Sequence, residues 1–226
     1  MKEIQENNIQ EFKDFISNHQ YFYVIGHKEP DGDCIASCLG IADILKKSNK
    51  EYKLLSAGPF KRPEIKKFEK QFSNKTDFLD NKDREITGLI ILDCSELSRL
   101  GEIDGDLSGL DIFVIDHHKT SNLPENAKGF IDPEAPACAY LVQIFYEKIL
   151  GKIPLKLANI LFFGLSTDTG YFRFLSKDSA EVFMAAARLV SYGVEPRMIY
   201  NEINSGKPYS TRQLLGVLLS KAERYL

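Results

Sequence analysis

The hydrophobic positions in the first part of the chain form short unbroken runs rather than an alternating pattern. Three such runs are YFYVI at residues 21–25, GLIIL at 88–92 and DIFVI at 111–115. Unbroken apolar runs of this length are typical of parallel strands whose two faces are both covered. We therefore predict three buried strands, with a further strand at residues 52–56.

Apolar residues at helical spacing predict helices before, between and after these strands. One predicted helix covers residues 3–18, a second covers 34–48, and Pro63 opens a third. From residue 135 onward the pattern is mostly helical, with helices near 139–149, then one ending near 165, then 178–192, 197–204 and 209–225. These elements predict one α/β domain over 1–226. It has a mostly parallel β-sheet flanked by helices over about 1–132 and a helical remainder over about 133–226.

Composition and charge exclude several classes of protein. The 43% hydrophobic and 27% charged content is ordinary for a soluble globular protein. No apolar run approaches a membrane span and the N-terminus, MKEIQENN, does not resemble a signal peptide, so we expect a cytoplasmic protein. A net charge of −3 argues against binding of long duplex nucleic acid but permits short phosphorylated substrates. The four cysteines show no paired spacing and are most simply buried thiols.

Side chains that can bind metal ions follow the predicted strands and one of the later helices. The candidates are His27, Asp31, Asp33, Asp93, His117 and Asp168. In open α/β sheets, ligands bind at the loops that leave the carboxyl ends of the strands. For the first loop an ordinary interpretation stays open, in which Asp33 caps a helix that begins near Cys34 and Asp31 belongs to a turn.

Two imidazoles and four carboxylates suit a site for two metal ions. Hard oxygen ligands with imidazole favour Mn²⁺ or Mg²⁺ over a structural zinc. One ion would lower the pKa of a bridging water so that hydroxide exists at neutral pH, while both would polarise phosphoryl oxygens. The predicted reaction is therefore hydrolysis of a phosphate ester or anhydride without a protein nucleophile.

Two adjacent histidines, His117 and His118, follow Asp116 at the end of a predicted strand. By itself such a pair is often a buried pair or an accident of the surface. At a strand end, however, the two side chains point to opposite sides. We therefore expect one to reach a metal, while Asp116 orients an imidazole and His118 faces the substrate.

Four motifs occur in order over residues 26–172: GHKEPDGDCIAS, ILDCSE, VIDHHKTSN and STDTGYF. In these motifs the chain resembles the DHH family of phosphoesterases. The resemblance implies two Mn²⁺ ions, the first held by His27, Asp31 and Asp93 and the second by Asp33, Asp93, His117 and Asp168. Asp93 would then bridge the two ions, and His118 and Asn122 would contact the scissile phosphate.

The resemblance also implies a class of substrate. Members of the family with short chains degrade oligoribonucleotides of a few residues, dephosphorylate adenosine bisphosphate, or open linear and cyclic dinucleotides. We therefore expect a hydrolase that acts on a small nucleotide or a short single-stranded oligonucleotide; a homodimer is compatible with this. Arg173 is predicted to pair with a substrate phosphate and Phe172 or Phe174 to stack on a base, although packing in the interior is the ordinary role of such aromatics.

The end of the chain departs from the family pattern. Family members continue into a second, substrate-binding domain with a glycine-rich, histidine-containing motif, whereas no histidine follows His118 here. We interpret this as a shortened chain or a one-domain variant with its metal site intact. Two other functions stay open: an inorganic pyrophosphatase or exopolyphosphatase of the same superfamily, and a non-catalytic domain that binds nucleotides.

Overall fold

A parallel sheet forms the centre of the fold. The computed structural model describes residues 4–77, 80–125, 127–205 and 209–223, so the outer ends of the predicted helices 3–18 and 209–225 lie outside it. The strands are β1 (Tyr21–Ile25), β2 (Glu51–Leu55), β3 (Thr87–Leu92), β4 (Asp111–Asp116) and β5 (Lys128–Ile131). Their order is β2-β1-β3-β4-β5, and every neighbouring pair is parallel. The predicted α/β class is confirmed.

Helices precede, connect and follow the strands. They are α1 (Glu6–Asn18), α2 (Gly32–Lys47), α3 (Asn81–Glu85), α4 (Cys138–Leu150), α5 (Leu155–Asp168), α6 (Ala180–Ser191), α7 (Pro196–Ser205) and α8 (Tyr209–Ser220). Two 3₁₀ helices cover Pro63–Gln71 and Leu97–Arg99. Among the described residues, none of the helices has the length and apolar character needed to cross a membrane.

The two faces of the sheet are covered in different ways. On one face, residues such as Phe22, Ile90 and Phe113 pack into the main core, which most of the helices complete. On the other face, Tyr23, Ile91 and their neighbours form a smaller core with residues of the connecting loops, notably the segment 93–110. Both faces of the apolar strands are therefore covered. Helices cover most of one face, and connecting loops cover most of the other.

Small residues let α2 approach α4 and α5 closely. A Cβ atom added at Gly164 of α5 would lie 2.5 Å from the Cβ of Ala36 in α2 and 2.9 Å from that of Ala139 in α4. Likewise, a Cβ at Gly32 would lie 2.5 Å from Oγ1 of Thr167. This close approach brings the N-terminus of α2, the N-terminus of α4 and the C-terminus of α5 to the same place.

Several elements differ from the sequence prediction, including the short helix α3, which was not predicted. Helix α5 continues to Asp168, whereas it was expected to end near residue 165. The residues from Pro63 form a 3₁₀ helix. The edge strand β5, with the sequence KGFI, was not predicted, because it is short and carries no periodic pattern. It pairs closely with β4 through Gly129, where an added Cβ would lie 2.1 Å from the carbonyl oxygen of Val114.

Candidate metal centre

The candidate side chains meet at the carboxyl edge of the sheet, as expected for parallel strands. Strand β3 lies between β1 and β4, so the residues that follow these three strands are neighbours in space. The N-termini of α2 and α4 and the last residue of α5 reach the same edge. The six predicted ligands come together there, as the following distances show.

Asp31 serves both as a helix cap and as a member of the cluster. Its Oδ1 atom accepts hydrogen bonds of 3.1 Å each from the backbone N–H groups of Asp33 and Cys34. Helix α2 begins at Gly32 and its cap is Asp31, so the alternative interpretation of Asp33 as the cap is wrong. The same Oδ1 atom lies 3.9 Å from Nε2 of His27.

Asp93 lies at the centre of the cluster. Its Oδ2 atom is 3.4 Å from Nε2 of His27, and its Oδ1 atom is 3.2 Å from Nε2 of His117. The residue is buried, and its backbone has a φ of 56°, in the left-handed region that Asp tolerates better than most residues. This turn directly after β3 directs one carboxylate towards two imidazoles, as a bridging ligand requires.

Both of these histidines are oriented by the backbone. Nδ1 of His27 lies 2.8 Å from the carbonyl oxygen of Lys28, and Nδ1 of His117 lies 3.2 Å from that of Ala135. A hydrogen bond from Nδ1–H to a carbonyl leaves Nε2 available as a ligand. In each ring, Nε2 faces the carboxylates.

Asp33 and Asp168 complete the other side of the cluster. Asp33 is fully buried, and its two oxygens accept hydrogen bonds from the N–H groups of Cys138 (2.6 Å) and Ala139 (2.7 Å) at the N-terminus of α4. Nε2 of His117 lies 3.8 Å from Asp33 Oδ2 and 3.4 Å from Asp168 Oδ2. Asp33 is thus held rigidly by a helix that does not contain it.

Asp116 fixes the second histidine of the pair. Its Oδ1 atom lies 2.7 Å from Nδ1 of His118 and accepts hydrogen bonds from the N–H groups of His117 and His118. Nε2 of His118 is therefore the ring nitrogen available to an external group, and the side chain is 31% exposed. This arrangement is the one expected for an imidazole that faces the substrate.

The carboxylates strongly favour protons on the imidazoles. Burial alone would lower the pKa of His27, but the neighbouring Asp31 and Asp93 outweigh it and raise the pKa to about 12. Burial likewise opposes protonation of His117, yet Asp93 and Asp33 raise its pKa to about 10. For Asp31, burial is outweighed by His27 and by the N–H of Cys34, which lower the pKa to about 2.

The acids on the other side of the cluster repel one another. Burial, with the charges of Asp93 and Asp168, raises the pKa of Asp33 well above its usual range. Burial also raises the pKa of Asp168 to about 6, an effect that His117 opposes and Asp93 strengthens. Buried carboxylates this close together need positive charge between them.

These residues fit divalent metal ions. Among the described residues, Asp93 Oδ1 is a buried side-chain oxygen without a hydrogen-bond partner, although buried polar atoms normally have one. Imidazole nitrogens and carboxylate oxygens lie close together in several groups, among them Asp93 with His117 and His118, and Asp33 with His117 and Asp168. Oxygen with imidazole is a donor set that suits Mn²⁺ and related ions.

Two predicted substrate contacts lie outside this cluster. Asn122 is exposed, and its backbone N–H donates to the carbonyl of Ser95, which ties the loop after β4 to the loop after β3. Arg173 is exposed too, with its guanidinium 4.6 Å from the ring centroid of Phe174. Phe172 packs against Phe162 and so has the interior role.

The sequence reasoning missed two residues near the centre. Arg62, before the first 3₁₀ helix, has a guanidinium nitrogen 3.7 Å from Asp31 Oδ2. Cys34, directly after Asp33, has its thiol beside His27 and Asp93. For Arg62 no local signal exists, because its contact depends on how the loop after β2 packs. For Cys34 the signal was its place within the metal-binding motif.

Comparisons with known proteins agree with the geometry. The model of the "DHH family, N-terminal domain" matches residues 21–165. The chain is 30% identical to the bifunctional oligoribonuclease and PAP phosphatase NrnA of Thermus thermophilus over 200 residues. These residues make up 88% of this chain and 58% of the relative. The chain is 24% identical to the cyclic-di-AMP phosphodiesterase PdeA of Listeria monocytogenes, covering 84% of this chain and 31% of the relative.

A solved structure with the same fold is an exopolyphosphatase-related protein from Bacteroides fragilis. It superposes with a TM-score of 0.83 at 22% identity, over all of this chain and 68% of that one. The chain spans about three-fifths or less of the length of these two curated relatives. The family model, the ordered motifs and the meeting of their residues lead to one conclusion: the chain belongs to the DHH family of phosphoesterases.

Proposed function

We propose that this chain holds two divalent metal ions and hydrolyses phosphate ester bonds in small nucleotides. The observation that carries the proposal is the position of Asp93, whose two oxygens face the Nε2 atoms of His27 and His117. A carboxylate between two imidazoles is suited to bridge two ions. A single structural metal site would not need a second histidine on the far side.

The remaining ligands divide around this bridge. His27 and Asp31 would hold the first ion with Asp93, while Asp33, His117 and Asp168 would complete the second. Mn²⁺ is the proposed ion, with Mg²⁺ as an alternative, because the donors are mainly carboxylate oxygens and imidazole nitrogens. When bound, such a pair of ions lowers the pKa of a water molecule and polarises phosphoryl oxygens.

His118 and Asp116 would act on the substrate rather than on the metals. Asp116 accepts from Nδ1 of His118 and so fixes the orientation of the ring. Nε2 of His118 can then donate a hydrogen bond to the scissile phosphate or to the leaving oxygen. Asn122 and Arg173 are proposed to contact the phosphate from the surrounding loops.

The proposal of a nucleotide substrate rests on the relatives and on one aromatic side chain. The curated relatives carry the names of enzymes that act on oligoribonucleotides, PAP and cyclic-di-AMP. Phe174 is 67% exposed and lines a cavity of about 290 Å³ that Asp168 also lines. An exposed ring at the border of the centre is suited to stack on a base.

The test is a substrate panel with the purified chain and Mn²⁺. The panel contains a ribodinucleotide, a cyclic dinucleotide, adenosine bisphosphate, pyrophosphate and an activated aryl phosphate ester. We expect hydrolysis of at least one nucleotide, with its loss in the presence of a chelator. Turnover of pyrophosphate alone would exclude the nucleotide assignment, and tight nucleotide binding without any hydrolysis would identify a binding domain.

A further inference from the structure

A buried thiol lies next to the first half of the metal centre. Cys34 is 2% exposed and belongs to the first turn of α2. Its Sγ, a ring nitrogen of His27 and a carboxylate oxygen of Asp93 all lie within 4.8 Å of one another. The proposed ligands of the first ion therefore have a sulfur neighbour.

The fold makes room for this sulfur at the end of β1. Gly26 precedes His27, and a Cβ added there would lie 2.2 Å from Sγ of Cys34 and 3.6 Å from Sγ of Cys38. A larger residue at position 26 would thus displace the Cys34 thiol. Because Gly26 has no side chain, the thiol of Cys34 can occupy the space behind His27.

Two of the other cysteines have hydrogen-bond partners elsewhere. The thiol of Cys94 donates to the carbonyl of Glu96 at 3.2 Å, and that of Cys138 donates to the carbonyl of Ile115 at 3.1 Å. Cys34 instead faces Cys38 in the next turn of the same helix. Within the described part of the chain, Cys34 is the one of the four buried thiols that is grouped with a histidine and a carboxylate.

We propose that Cys34 is a ligand of the metal ion held by His27 and Asp93, and that it makes this position selective for thiophilic ions such as Zn²⁺, Fe²⁺ or Co²⁺ over Mg²⁺. On binding, the S–H bond breaks, a sulfur–metal bond forms, and the proton leaves to water. Ligand atoms on one metal ion lie about 3–3.5 Å apart, given metal–ligand bonds of 2.0–2.3 Å. A small closure of the present group reaches that separation, and thiolate favours the softer ions.

This inference rests on the proposed metal centre, and Co²⁺ tests the two separately. Cobalt bound by nitrogen and oxygen shows ligand-field bands in the visible, whereas a thiolate ligand adds a charge-transfer band in the near ultraviolet. We expect both signals in the unchanged chain. Cys34→Ala and Cys34→Ser should lose the charge-transfer band and keep the ligand-field bands.

Cys38→Ala is the matched control, because Cys38 is an equally buried thiol of α2. It should keep both signals, and circular dichroism of the metal-free variants checks that each one folds. In competition titrations, Cys34→Ser should weaken Zn²⁺ binding at least about tenfold and leave Mg²⁺ binding unchanged.

Three outcomes would overturn the inference. Ligand-field bands without a charge-transfer band in the unchanged chain, or a charge-transfer band that survives in Cys34→Ala, would leave the metal centre standing without a sulfur ligand. No cobalt retained by the dialysed chain on metal analysis would reject the metal centre itself, and with it the role of Cys34.

Discussion

Asp93 is the residue on which both halves of the centre depend. It lies next to His27 on one side and His117 on the other, whereas His118 faces outward and is held by Asp116. The two kinds of residue should therefore behave differently when they are removed. On the proposed assignment, loss of Asp93 would remove a ligand from both ions, while loss of His118 would remove none.

We expect Asp93→Ala to lose most of the bound metal and all measurable activity. His118→Ala should retain its metal and lower kcat by about a hundredfold or more, the usual effect of losing a general acid or base. Metal analysis of the two purified variants, beside the unchanged chain, makes the distinction. Equal metal loss in both would contradict the roles assigned to them.

The raised pKa values of His27 and His117 predict that metal binding releases protons. With pKa values of about 12 for His27 and about 10 for His117, both rings carry a proton in the metal-free protein at pH 7. A ligating ring must be neutral, so the two rings together should release about two protons per chain, and the Cys34 thiol, as the proposed sulfur ligand, should release one more. Calorimetric titration with Mn²⁺ in two buffers of different ionisation enthalpy measures that number.

The same two histidines, His27 and His117, determine how the stability of the fold and the metal affinity change with pH. Because both pKa values are raised on folding, the protonated rings stabilise the metal-free fold below a pH of about 6.5, and this contribution is lost as the pH rises through about 10 to 12. Metal affinity should move in the opposite direction and rise with pH. His27→Gln should reduce the proton release by about one, and an unchanged release would refute the assignment.

At the scale of elements, the centre depends on the close junction of α2, α4 and α5. Helix α2 carries Asp33, α4 supplies the two N–H groups that hold it, and α5 ends in Asp168. Gly164 lies where these helices meet. Anything that separates the helices therefore moves the ligands of the second ion.

We expect Gly164→Ala to destabilise the fold by about 1–3 kcal/mol, the usual cost of overpacking a core. The added Cβ would lie 2.5 Å from the Cβ of Ala36, so the helices must shift. Chemical denaturation gives the free energy of unfolding, and Mn²⁺ titration shows whether affinity falls too.

Gly216→Ala is the matched control, because a Cβ there would meet no atom of the described residues within 4 Å and the described residues of α8 are exposed. It should leave the free energy of unfolding unchanged or slightly higher, since Ala favours helix more than Gly does. Similar losses in the two variants would mean that packing at Gly164 is not the cause.

At the scale of the whole molecule, metal binding should be coupled to stability. The metal-free fold keeps Asp33 and Asp93 buried close together, and the proposed ions would relieve this repulsion in the folded chain, where the ligands are assembled. At a free concentration of 100 times Kd, one occupied site adds about 2.7 kcal/mol.

In thermal melts this gain should raise Tm by about 5–10 °C for a chain of this size. A chelator should reverse the rise. In Asp93→Ala the added metal should have little effect, and an equal rise in that variant would show that the ions bind elsewhere.

Much of this arrangement could be predicted, because its signals are local. The apolar runs of β1, β3 and β4 identify buried parallel strands, and the acidic and histidine residues directly after them must lie at one edge. The short strand β5 and the end of α5 were not predicted correctly. Their lengths depend on pairing with β4 and on packing against α2, which no local pattern records.

The sequence by itself determined which side chains stand at the strand ends and that the strands are parallel, since both follow from the order of polar and apolar residues. Tertiary structure alone decided that β3 lies between β1 and β4, so that Asp93 separates His27 from His117. It also decided that amides of α4 hold Asp33 and that Arg62 reaches Asp31. Contacts between residues far apart in the chain depend on how closely helices and loops pack, and that distance is set by side-chain volumes throughout the core.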